Sequence, residues 1–255
     1  EKVVMDAIEE FIATCPLAFT LAKVVAVFTF LQKTGGDLQA MKLGEKCLIF
    51  LGSNARIEED QFTLFYQAIN ELMFEAACRV PDYKSAERYA KELLIMHHAS
   101  NDKISEGIVS LALGNIYQRL KEFEMASRYY QNAIDMTRST GDKQVEARCY
   151  LGIGVSFHSL CKYHMAEKYY EKALAITMTI GDRNRAATIY RNLGDIVQSL
   201  GKYDRAEEYY KKALAIREEI GDKKGQASDY GNLGTLFQSL CEYQKAKEFT
   251  EKALE

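Results

Sequence analysis

Over residues 183–199 the apolar residues Ala187, Tyr190, Leu193 and Val197, with Gly194, recur three and four positions apart, the spacing of one helix face. After a short turn at Gly201-Lys202 a second stripe runs through Tyr203, Ala206, Tyr210, Ala213 and Leu214. Glu207 with Lys211 and Glu208 with Lys212 stand four apart on its polar side, where ion pairs are expected. Asp182 is placed to cap the first helix, and Gly221 supplies the left-handed residue that ends the second. The pattern predicts two amphipathic helices folded into a hairpin.

The pattern repeats. Gly141-Asp142, Gly181-Asp182 and Gly221-Asp222 are spaced by 40 residues, with Asn101-Asp102 one period earlier. Residues 181–215 and 221–255 are identical at sixteen of 35 positions. Gly154, Gly194 and Gly234 in the first helices, with Ala166, Ala206 and Ala246 in the second, are expected to let paired backbones approach. Tyr150, Tyr190 and Tyr230, together with Tyr170, Tyr210 and Phe249, would fill the space around that contact. A single hairpin cannot bury both faces, so neighbours must stack into an all-α solenoid. The regular units are 101–140, 141–180, 181–220 and 221–255, forming one region, and residues 1–100 form an irregular one. Residues 61–100 keep the phase, since Tyr83, Ala86 and Leu93 match Phe123, Ala126 and Ala133. Phe74, however, takes the place of the packing glycine, so that hairpin must splay or shift. Residues 17–51 read as a degenerate hairpin, preceded by a short helix at 1–14 that Pro16 ends.

From Ile104 to Glu255 the order large aromatic, Leu-Gly, aromatic, Ala, aromatic, Ala resembles the tetratricopeptide repeat. The closing Pro of that repeat is replaced by Gly-Asp and extra helix, a variant similar to the repeats of the G-protein-signalling modulators and related animal scaffolds. The resemblance implies a right-handed superhelix of antiparallel hairpins whose first helices line a concave groove that binds a peptide or protein. The groove positions it implies are Asn115, Gln118 and Arg119; Arg148, Val155 and His158; Arg191, Asn192, Asp195 and Gln198; and Asn232, Thr235 and Gln238. Amides and guanidiniums there could grip a peptide backbone or a carboxylate, while the plainer reading is that a solvated helix face is simply polar. Two ligand patterns of the family do not carry over. The chaperone-tail clamp is broken at Leu111, Gly152 and Asp195, and the Arg/Asn ladder of the polarity scaffolds at Thr188, Ser228, Val155, Asp195 and Thr235.

Composition narrows the functions. Net charge is −3 and no run of Lys or Arg offers a phosphate-binding face, which argues against nucleic acid. Six scattered cysteines without CxxC spacing read as reduced thiols of a cytoplasmic protein. The chain lacks an initiating Met and stops within a helical pattern, so an excerpt of a longer protein is expected. His158, Cys161 and His164 straddle a turn without a fourth ligand, and Cys161 falls where Cys241 does, so both cysteines read as turn residues and no metal is expected. His97 and His98 are expected to be exposed. Leu17 to Leu31 has a single charge but is shorter than the roughly 20 residues of a membrane span. Cys15-Pro16-Leu17-Ala18 faintly echoes nucleotide-switch ATPases, but no phosphate loop accompanies it. No catalytic motif is present, and no cofactor is expected. The reading is a non-catalytic scaffold for a protein or peptide. The alternative is a self-associating arm, through residues 1–60, or an autoinhibitory arm of a larger signalling protein. An enzyme or small-molecule sensor would require a deep pocket with convergent polar groups.

Overall fold

The computed structural model describes residues 25–31, 33, 35–53, 59–80, 82–138 and 140–254. The expected helix at 1–14, the Cys15–Ala18 echo, Leu17 to Lys23 and much of the 1–60 self-association surface therefore lie outside the described residues. Every regular element among the described residues is helical. After helical turns at 25–31 come α1 (Asp37–Ser53), α2 (Glu59–Arg79), α3 (Tyr83–Ala99) and α4 (Lys103–Arg119), followed by α5 (Phe123–Thr137), α6 (Lys143–Ser159), α7 (Tyr163–Ile180), α8 (Arg183–Ser199), α9 (Tyr203–Ile220), α10 (Lys223–Ser239) and α11 (Tyr243–Leu254). The chain divides into two compact units, one ending at Leu120 and the other beginning at Lys121.

Helix ends follow the expected chemistry. Asp182 accepts from the Arg185 amide at 2.9 Å, and Asp142 and Asp222 cap α6 and α10 in the same way. Gly181 and Gly221 close α7 and α9 at φ of 73° and 71°. Within the hairpins the left-handed residue is Gly201 in one, but Cys161 and Cys241 at φ of 56° and 59° in its neighbours. These cysteines are turn residues that adopt a glycine-like backbone.

In the second unit each first helix packs on the helix that follows it. A Cβ on Gly194 would come within 2.6 Å of the Tyr210 ring, and one on Gly154 would overlap Tyr170. The close contact expected with alanine is thus made by a tyrosine ring seated over the glycine, while Ala166 and Ala206 are fully buried beside it. The match of Phe249 with Tyr170 and Tyr210 is one residue out. Thr250 holds that position, 2.8 Å from a Cβ on Gly234, and Phe249 instead stacks on Phe237 at 5.4 Å. Glu207 and Lys211 pair at 2.6 Å, but Lys212 leaves Glu208 for the rings of Tyr190 and Tyr209, at 5.9 and 5.6 Å.

The first unit solves the same packing problem differently. Phe74 is half-buried, and the buried positions of α2 are Ile69, Asn70, Met73, Ala76 and Ala77. Close approach comes from Gly44 of α1, whose missing side chain leaves the space that Met73 fills. His97 is not exposed as expected. It is buried at the end of α3, 3.8 Å from Asp102, whereas His98 is exposed and meets Glu106 at 3.1 Å.

Candidate functional site

The richest group of predicted residues sits on α8. Arg191, Asp195 and Gln198 are half-buried and Asn192 is buried. The Tyr210 hydroxyl of α9 lies 2.8 Å from Asp195 Oδ1 and 2.7 Å from Gln198 Oε1. One hydroxyl proton serves one acceptor, so the arrangement is satisfied with Tyr210 donating to Asp195 and the Gln198 amide turned to donate to Tyr210. Burial pushes the Asp195 carboxyl up, against the pull of the Tyr210 hydroxyl and of the nearby Arg191 and His158. His158, from α6, also meets Tyr163 edge-on at 5.9 Å. The structure therefore gathers His158, Arg191, Asn192, Asp195 and Gln198. It also makes Arg191 a counter-ion, since the same guanidinium draws down the buried Asp229 carboxyl of α10 and approaches Ser228 at 3.4 Å.

The other predicted positions stand apart from that group. Arg148, Thr235 and Gln238 are exposed, Asn232 is half-buried, and Thr235 donates only to the Asn232 carbonyl, at 2.8 Å. Gly231, beside Asn232, has nothing within 4 Å of where its Cβ would be. In the first unit, Asn115 and Arg119 are exposed on α4 beside the half-buried Gln118. They line a cavity of about 200 Å³ with Cys78, Tyr83, Ala86, Ala112 and Ile116.

Sequence reasoning missed Tyr210, Arg217 and Asp229. Arg217, 5% exposed, places Nη1 2.6 Å from the capping Asp222 and Nε 2.8 Å from Asp229, which is 0% exposed. By strict hydrogen-bond geometry neither Asp229 oxygen has a donor, so the close Arg217 guanidinium acts on it chiefly through its charge. The signal was present in the repeat: one period earlier these two positions are Thr177 and Ile189. Among the described residues no group of three or more His, Cys, Asp or Glu could hold a metal ion, and no helix is long and apolar enough to cross a membrane.

The profile of the tetratricopeptide repeat matches residues 106–178 and 185–255, more than half of the chain. The chain belongs to the tetratricopeptide repeat family. Solved structures with this fold include BtubC (BKLC) from P. vanneervenii, 21% identical, covering 85% of this chain and 89% of that one with a TM-score of 0.68. A Signal Transduction ATPase with Numerous Domains from Pyrococcus horikoshii, which carries a tetratricopeptide repeat sensor, is 18% identical with a TM-score of 0.77, over 97% of this chain and 38% of its own length. A Rap protein complexed with competence and sporulation factor is 16% identical with a TM-score of 0.63, over 92% of this chain and 76% of that one. At these identities the likeness is one of fold. No curated protein matches the chain. The tetratricopeptide framework accounts for Gly154, Gly194 and their tyrosines as scaffold.

Proposed function

We propose that this tetratricopeptide repeat chain is a non-catalytic scaffold that holds a protein or peptide segment along the polar faces of α6, α8 and α10. The observation that carries this reading is Gly231. A glycine inside a helix costs about 1 kcal/mol relative to alanine. At Gly152, Gly154, Gly194, Gly225 and Gly234 that cost has a packing reason, because a side chain fills the space a Cβ would take. At Gly231 nothing fills it, and the glycine lies between Ser228, Asn232 and Thr235 on a polar face. Bare backbone beside amides and hydroxyls suits an extended segment that must approach closely. A cytoplasmic setting fits the free thiols Cys47 and Cys149, which burial pushes up to about 11 and about 12.

Two neighbours of the same fold support binding, since one is complexed with a competence and sporulation factor and another uses its repeats as a sensor. The second favours a further reading, a sensing or autoinhibitory arm of a larger signalling protein, because it covers 97% of this chain. Random peptides displayed on phage and selected on the chain test the first reading. Replacing Arg148, Asn232 and Gln238 by alanine together should weaken the selected peptides about tenfold or more, as loss of a few dominant contacts does. Peptides that bind the triple variant equally well would move the site elsewhere.

A further inference from the structure

The first unit holds a second cavity, about 330 Å³, between α1, α2 and α3, and it shares no residue with the cavity beside Asn115. That size lies within the range of small-ligand pockets. Leu48 and Ile49 of α1 and Tyr66 of α2 give it apolar walls, and its polar lining comes from Glu45, Asn70, Arg88, Tyr89 and Glu92.

The polar groups are arranged unevenly. Arg88 Nη2 donates to Glu45 Oε1 at 2.8 Å and to the Tyr89 hydroxyl at 2.6 Å, and that hydroxyl donates to the same Glu45 oxygen at 3.1 Å. Arg88 lies one turn before Glu92 on α3, a spacing that permits an ion pair. It reaches across to α1 instead, and Glu92 forms no ion pair among the described residues. Among the described residues Glu45 and Arg88 cancel, and the half-buried Glu92 is the lining carboxylate without an ion pair. Asn70, 1% exposed, spends its amide nitrogen on the Tyr66 carbonyl of its own helix at 2.8 Å. One amide hydrogen and Oδ1 remain, and no described residue donates to Oδ1. An amide oxygen bordering the cavity can accept from a donor that enters it.

We infer that this cavity receives a primary ammonium group on an aliphatic stem, the side chain of a lysine from a partner protein. The ammonium brings three donors and no acceptor, which complements the Glu92 carboxylate and Asn70 Oδ1. Its methylene stem lies along Leu48, Ile49 and Tyr66. The site is separate from the polar faces of α6, α8 and α10, so either can fail without the other.

The test is a titration of the full chain with N-acetyl-lysine methylamide at low ionic strength, followed by NMR. Shift changes should centre on Leu48, Asn70 and Glu92, and Glu92→Gln should weaken binding about fivefold or more, as expected when a charged acceptor becomes neutral. The same probe acetylated on its ε-nitrogen should not bind, a comparison that needs no variant. Equal binding of the acetylated probe, unchanged affinity in Glu92→Gln, or shifts confined to other residues would overturn the proposal. An N-acetyl-arginine methylamide that binds more tightly at the same residues would overturn the choice of lysine. Spermidine saturating these residues at lower concentration than the lysine probe would overturn a partner side chain as the source of the amine.

Discussion

The contact between α7 and α8 and the contact between α9 and α10 occupy the same place in successive repeats, yet one is apolar and the other ionic. At the first, Thr177 and Ile189 are fully buried, and Ile189 joins Ala166, Tyr170, Ala173, Leu193 and Ile196 in one core. The aspartate that caps α8, Asp182, takes its guanidinium from Arg185, three residues along its own helix. At the second, Arg217 and Asp229 replace Thr177 and Ile189, and Gly225 stands where Arg185 does. The guanidinium beside the capping Asp222 now comes from the preceding helix, and it fits because Gly225 leaves it room: a Cβ there would overlap it. Three positions have changed together. The repeat framework thus accepts either an apolar or an ionic filling, provided that space and counter-charge change in step.

The largest effect expected from this difference is that of Arg217→Ala. Removing one partner of a buried ion pair costs about 3–5 kcal/mol, measurable by urea denaturation, whereas Thr177→Ala at the apolar contact should cost less. A similar loss at both contacts would erase the distinction. Rebuilding the apolar arrangement with Arg217→Thr, Gly225→Arg and Asp229→Ile together should be neutral or stabilising, by about 1–4 kcal/mol, as when buried ion pairs elsewhere are replaced by packed apolar groups. Marked destabilisation of the triple variant would mean that the ionic contact holds the two helices in a way Ile189 cannot reproduce.

The smallest effect is a dependence on pH. Burial raises the Asp229 carboxyl from 3.8 to about 6, although Arg217 and Arg191 pull it down and Asp195 adds to the rise. The folded chain then holds this proton more tightly than the unfolded one. Its contribution to stability therefore falls as pH rises from about 4 to about 6 and is flat above. The stability difference between the natural chain and the Asp229→Asn variant should follow that course. A difference independent of pH would show that Asp229 ionises as it does in the unfolded chain.

Much of the scaffold was legible because its physics is local and periodic. Asp182 and Gly221 announce helix ends through capping and a left-handed backbone, and the 40-residue recurrence of Gly154 and Gly194 marks the close contacts. Periodicity is less informative where one slot can be filled by different chemistry. His97, Thr137, Thr177 and Arg217 share a slot, as do Val109, Cys149, Ile189 and Asp229, and only the fold shows that the charged members of both sets are buried together. Lys212 illustrates a second difficulty: spacing permits a pair with Glu208, but the ammonium lies over the rings of Tyr190 and Tyr209 instead. The candidate binding positions were legible as a polar face. That Arg191 compensates Asp195 and Asp229 depends on α8 and α10 lying side by side, which no spacing within one helix reveals.

Among the described glycines, Gly154 and Gly194 are covered by a ring of the next helix and Gly231 is left open on the polar face. Urea denaturation of Gly194→Leu beside Gly231→Leu tests this division most directly. Leucine at Gly194 must displace the Tyr210 ring and should lower stability by about 1–3 kcal/mol or more. At Gly231 a Cβ meets nothing within 4 Å and leucine gains helix propensity, so stability should be unchanged or slightly raised. Equal losses at the two positions would contradict the account.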